Sequence, residues 1–241
     1  MVTLRLSTLL LLAVSPLLAV SSESLPSPTG TSEKIPIIDI SPLISSNSNS
    51  GGDAKENDLK VLSRSIRDAL STVGFFYVSN HAVPSRLVRR AFAYSRSFFS
   101  LPTEEKLSLG IERSGAALKG YTPPYGETVD AANRTKDIKE SYDLGPEAKD
   151  GEVRPFFGPT PWPEEKNSSR PDLAGFRAVM TEYHSEMVQL ARTVLRAVAL
   201  SLDLPLEYFD GMMKEPVGIQ RLLHYPRQHT GNNHGKDEDG R

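Results

Sequence analysis

Between Asp172 and Leu202 the apolar residues recur at helical spacing. Phe176, Val179, Met180, Tyr183, Met187, Leu190, Ala191, Val194, Leu195, Val198 and Leu202 form one broad stripe. A long helix with so wide an apolar side must lay it against other elements, so this chain builds a core. Methionines and aromatics in such a stripe are packing residues rather than a cofactor box. His184 lies off the stripe and is expected in solvent. The composition agrees with a globular fold: 241 residues, 38% hydrophobic and 24% charged. A net charge of −2 gives no general attraction to nucleic acid or anionic membranes. The absence of cysteine excludes disulfides, thiolate metal sites and Cys nucleophiles.

Residues 1–21 read as a secretory signal peptide. Arg5 supplies the positive start, the run Leu9 to Val20 the apolar stretch, and Ala19-Val20-Ser21 the small residues of a cleavage site. The apolar run is shorter than the roughly 20 residues of a membrane span. The expectation is entry to the secretory pathway or secretion with no membrane anchor after cleavage. A two-part address to another organelle is the other option. Asn133-Arg-Thr135 and Asn167-Ser-Ser169 are glycosylation sequons, making Asn133 and Asn167 candidate acceptors.

Residues 22–34 form a flexible leader rich in Ser and Pro. Ile35 to Ile40 predicts an edge strand. Leu59, Leu62, Ile66, Ala69, Leu70 and Val73 predict an amphipathic helix that Gly74 ends. Phe75 to Val78 predicts a buried strand. Pro84 opens a helix through Phe99, and Thr103 is expected to N-cap a short helix with two acids in its first turn. Gly110 to Pro171 is irregular, with one strand expected over 138–144, and Val217 to Tyr225 predicts a final strand. Helices mostly preceding the last strand suggest an α+β architecture. The tail, 227–241, is polar. His229 and His234 with Asp237 and Asp239 have ligand chemistry, but no rigid element holds them, which favours a solvated tail. Glu104-Glu105 and Glu164-Glu165 are adjacent acids and by spacing form no catalytic dyad. From these residues alone no active site assembles.

Several blocks, in order, resemble the N-terminal region of isopenicillin N synthase-like Fe(II)/2-oxoglutarate-dependent dioxygenases. They are Ile35-Pro-Ile-Ile-Asp39, then Gly74-Phe-Phe-Tyr-Val-Ser-Asn80-His81 with Ala82 in a Gly position, and Phe98-Phe-Ser-Leu-Pro-Thr-Glu-Glu-Lys106. Lys119-Gly-Tyr121, Lys139-Glu-Ser-Tyr-Asp143, Leu204-Pro205 with Tyr208-Phe209, and Arg221-Leu-Leu-His-Tyr-Pro226 follow. Asn80 and His81 are expected to serve a turn rather than catalysis.

The resemblance implies the helical N-terminal region of a double-stranded β-helix (jelly-roll) oxygenase over residues 35–226, running into the first barrel strand, with the barrel largely missing. It implies an oxidoreductase of small organic substrates, acting by hydroxylation, desaturation or ring closure. Two His and one carboxylate hold Fe(II), and oxidative decarboxylation of 2-oxoglutarate drives attack on a C–H bond. The family's H-x-D, distal His and R-x-S come after the Tyr-Pro block. After Tyr225 this sequence has His229-Thr-Gly231, His234-Gly-Lys236 and no R-x-S. No iron ligand is therefore carried over, and neither Fe(II) nor 2-oxoglutarate is expected to bind this chain tightly. Tyr225 matches a tyrosine that in relatives can approach 2-oxoglutarate, and Arg221 shares its strand face. Both are candidate cosubstrate contacts. The expected product is the inactive front part of an oxygenase whose gene model stops early. The alternative is a genuine short binding or regulatory module.

Overall fold

The structure, a computed structural model, describes residues 34–44, 52–130, 135–147, 153–165 and 173–226. The expected signal peptide, the leader up to residue 33, Asn133, Asn167 and the His229/His234 tail lie outside the described residues. Helix and sheet are mixed, as the α+β reading expects. The described residues cluster into two compact units, one within 96–163 and 221–226 and the other within 34–95 and 164–220.

The unit of residues 34–95 and 164–220 is mainly helical. Strand β1 (Ile37–Asp39) is followed by α1 (Ser41–Ile44) and α2 (Gly52–Thr72). Then come β2 (Tyr77–Ser79) and α3 (Ser85–Phe99), whose last turn belongs to the other unit, and later α5 (Phe176–Ser201). Leu62, Ile66 and Ala69 recur at helical spacing on α2 and are buried with Ile38, Ile40 and Ala197. Burying each large aliphatic contributes about 1.5–3 kcal/mol. The α2 C-terminus closes as expected: the N–H groups of Val73 and Gly74 both donate to the Ala69 carbonyl, with Gly74 at φ +83°.

Ser63 Oγ donates to the Leu200 carbonyl at 2.9 Å, and Arg67 Nε to that of Ser201 at 2.6 Å. Helix α2 thus satisfies carbonyls that the end of α5 leaves open. The α5 stripe is buried at Phe176, Val179, Met180, Tyr183 and Leu195, but half-buried at Met187, Leu190, Ala191 and Val194. His184 is not simply solvated: its Nε2 bonds the Gly218 carbonyl at 2.8 Å.

Strands β1 and β2 pair in parallel, Ile37 opposite Tyr77 and Asp39 opposite Ser79. The segment 75–78 is not the buried strand expected. Phe76 and Val78 pack against the core, whereas Phe75 and Tyr77 are 55% and 59% exposed. A two-stranded sheet with one covered face turns alternate residues outward. After β2 the chain turns through Asn80 and Ala82, both at positive φ. Asn80 Nδ2 donates to Asp39 Oδ2 at 2.7 Å, and His81 Nδ1 accepts the Val83 N–H at 3.2 Å. These are the turn-forming bonds expected of the pair, and φ +60° explains a Gly preference at position 82.

The unit of residues 96–163 and 221–226 carries α4 (Thr103–Leu107), a 3₁₀ segment (Ile111–Ala117) and β3 (Gly120–Thr122). A β4–β5 hairpin (Thr128–Asp130, Thr135–Lys136), β6 (Glu140–Leu144) and β7 (Gln220–His224) follow. Thr103 is the first helical residue of α4 rather than its N-cap. Pro102 holds the cap position, and no side chain caps the helix. The sheet order is β3-β6-β7, with β3 antiparallel to β6 in the register Tyr121 opposite Tyr142. The pairs Asp143–Arg221 and Glu140–His224 run in opposite chain directions, as an antiparallel β6–β7 ladder requires. Phe98 packs on one face of this sheet, its ring 4.4 Å from that of Tyr142 and 6.3 Å from that of Tyr121.

Candidate functional site

Alternation along β6 and β7 divides the polar residues between two sheet faces. Glu140 and His224 lie on the face covered by Phe98 and Phe99. Asp143 and Arg221 lie on the other.

On the first face the Glu140 carboxylate gathers three donors. Lys106 Nζ reaches Oε2 at 2.6 Å, Tyr121 OH reaches the same oxygen at 2.5 Å, and His224 Nδ1 reaches Oε1 at 2.7 Å. Lys106 also donates to the Phe99 carbonyl at 3.2 Å, and the His224 ring lies over Phe99 at 5.4 Å between centroids. Burial alone would raise the Glu140 acid. The bonds from Lys106, Tyr121 and His224, with the Lys106 charge, outweigh it and hold the group below its usual range. Burial, with Glu140 beside it, pushes the Tyr121 phenol well up, so Tyr121 serves as a donor. An ionised carboxylate only accepts, so His224 Nδ1 carries the proton in this bond.

On the second face Arg221 grips Asp143 with two bonds of 2.7 Å and reaches Glu127 at 3.0 Å. Lys139 joins Glu127 at 2.8 Å and also bonds Asp137. The Asp143 bonds keep the guanidinium cationic, while burial pushes the Asp143 carboxyl up. Tyr225, one residue past β7, is 40% exposed. Arg221 is shared between two carboxylates, Asp143 and Glu127. No motif or periodicity pointed to Glu127 or Asp137. Lys139 and Glu140 were visible only as a motif.

Lys119 was visible only as the start of the Lys-Gly-Tyr block, which carried no hint of its role. It is fully buried and donates to the carbonyls of Pro146 and Gly158, the latter at 2.7 Å. Burial lowers its ammonium to about 8, with Glu147 pulling the other way. Both contacts are to backbone, so Lys119 fastens the loops that follow β6. Among the described residues no group of three His, Cys, Asp or Glu side chains could hold a metal ion. Their donor set therefore does not fit the iron centre that the resemblance implies.

Residues 35–165 match the family described as "non-haem dioxygenase in morphine synthesis N-terminal". Clavatol oxidase of Penicillium crustosum is 33% identical over 206 residues, 80% of this chain and 58% of that protein. A probable iron/ascorbate oxidoreductase of Dictyostelium discoideum is 30% identical over 204 residues, 81% of this chain and 53% of the relative. A full-length Neurospora crassa protein, solved by crystallography in complex with alpha-KG and thymine, superposes with a TM-score of 0.61 at 31% identity, covering 80% of this chain and 55% of that one. The chain belongs to the non-haem dioxygenase family, whose matched relatives are 2-oxoglutarate–Fe(II) oxygenases. It spans about half the length of the curated relatives it matches. A putative 2OG-Fe(II) oxygenase from Caulobacter crescentus, 22% identical with a TM-score of 0.61, shares the fold.

Four motif blocks meet at Glu140. The Pro-Thr-Glu-Glu-Lys turn supplies Lys106, the Lys-Gly-Tyr block Tyr121, the Lys-Glu block the carboxylate, and the His-Tyr-Pro block His224. Among the described residues no helix is long and apolar enough to cross a membrane.

Proposed function

We propose that this chain forms the N-terminal part of a 2-oxoglutarate/Fe(II)-dependent oxygenase that oxidises a small organic substrate by hydroxylation, desaturation or ring closure. The observation that carries this reading is the family match over residues 35–165, and the strand Gln220–His224 ends directly before Tyr225 within the Arg-Leu-Leu-His-Tyr-Pro block. Tyr225 is the residue assigned to 2-oxoglutarate. Its hydroxyl would orient a carboxylate of the cosubstrate. Arg221 can join it only by giving up a present partner, and Glu127, on a single 3.0 Å bond, is the weaker of the two. The thymine complex of the Neurospora crassa protein and the name clavatol oxidase support a small-molecule substrate without identifying it.

Iron ligation lies outside the proposed role of the described residues, and the chain by itself is proposed to be inactive. An export signal at residues 1–21 is part of this reading, and N-terminal sequencing of the secreted protein is expected to start at Ser22, whereas a chain starting at Met1 would contradict it. A calorimetric titration of the 241-residue chain with Mn(II), a stand-in for Fe(II), is the test. Heat no greater than that of nonspecific surface binding is expected. A saturable 1:1 site would overturn the proposal.

A further inference from the structure

The Glu140 cluster touches neither substrate nor cosubstrate in this reading, yet it holds the residue next to Tyr225. His224 is fixed at both ends: its ring lies over Phe99, and its Nδ1 is 2.7 Å from Glu140. Glu140 is itself held by Lys106 and Tyr121, so the carboxylate has no freedom to follow a moving imidazole. A β-strand transmits such a constraint directly. With the His224 side chain locked on one face, the backbone that leads directly into Tyr225 is fixed in twist and height.

From this geometry we infer that Glu140 is a positioning residue for the cosubstrate tyrosine, acting through the Nδ1–H of His224. The inference rests on the assignment of Tyr225 to 2-oxoglutarate. It adds that the aim of Tyr225 depends on the Glu140–His224 hydrogen bond, not merely on the packing of β7. The buried Lys106–Glu140 pair then has a use beyond stability: it keeps the acceptor ionised and immobile, which fixes the protonated nitrogen of His224.

The test uses the full chain with 3-fluorotyrosine at position 225 and ¹⁵N-labelled histidine. In the wild type a single ¹⁹F resonance is expected at Tyr225. In the neutral imidazole form, reached by raising the pH until the ¹⁵N shifts stop changing, His224 should be predominantly the Nδ1–H tautomer. His224→Phe keeps an aromatic ring over Phe99 and removes the donor. It should at least double the Tyr225 linewidth or split the signal, while thermal unfolding stays a single transition. Glu140→Gln can donate as well as accept, so His224 should become a mixture of tautomers, with the same effect on Tyr225. An unchanged Tyr225 signal in a folded His224→Phe variant overturns the inference, as does a wild-type His224 protonated at Nε2 instead. Titrating 2-oxoglutarate against the wild-type label tests the underlying assignment separately. A shift at Tyr225 supports it. No shift at millimolar cosubstrate removes the cosubstrate role, and the inference with it, even where the tautomer and linewidth results stand.

Discussion

Glu140 accepts hydrogen bonds from three elements, and its removal leaves the most behind. In Glu140→Gln, Lys106 keeps its charge at 8% side-chain exposure with no carboxylate beside it. Breaking a buried pair in this way costs about 3 kcal/mol, to be read from chemical denaturation at neutral pH. The pH dependence has a definite sign. The folded-state acid is held below its ordinary 4.5, so its stabilisation is present above that value. It is lost as pH falls through the lower folded value. The wild type should therefore lose stability below about pH 4.5 more steeply than the Glu140→Gln variant. Parallel acid-unfolding curves would contradict the assignment. Little of this was legible in the residue order. Glu140 stood in a recognisable Lys-Glu block, but Lys106 is 34 positions before it and His224 is 84 after it. No local spacing joins residues so far apart; the sheet register does.

At the level of elements, what could be read followed from periodicity. Helices α2, α3 and α5 carry apolar residues over several turns, and each lies where its stripe predicted. Strands β3, β4 and β5 have three, three and two residues, too few for any alternation to emerge from a Gly- and Pro-rich segment. They exist because partners outside the strand satisfy their backbones, as the pairing of Tyr121 with Tyr142 does for β3. The buried-strand reading of 75–78 failed for a related reason: aromatic content predicts a strand but not how many of its faces are covered. Glu165 shows the same limit. It reads as one of two adjacent acids, but it accepts the N–H of Gly175 at 3.1 Å and of Arg177 at 2.5 Å at the start of α5. This is the work of a helix cap placed from outside the helix. Glu165→Ala should lower stability by about 1 kcal/mol, seen as a lower urea midpoint with an unchanged slope. Equal midpoints would mean that water replaces the carboxylate at no cost.

For the whole molecule, the family was legible in ordered blocks, whereas the chemistry was not. Composition described an ordinary globular chain, and the long helix demanded a core, but neither distinguishes an oxygenase. The blocks did so because each sits at a packing or hydrogen-bonding junction of the fold: the turn at Asn80, the Lys106–Glu140 pair, the Tyr121–Tyr142 register and the Arg221–Asp143 clasp. The last three of these involve the β3-β6-β7 sheet, whose final strand leads into Tyr225. The proposed division of labour is that this chain supplies frame and cosubstrate tyrosine but not the metal centre. Release of labelled CO₂ from 1-¹⁴C-2-oxoglutarate by the purified 241-residue chain, with Fe(II) and ascorbate, tests this most directly. The prediction is release no faster than from iron and ascorbate without protein. Sustained release that scales with protein and disappears on chelation of the iron would contradict it.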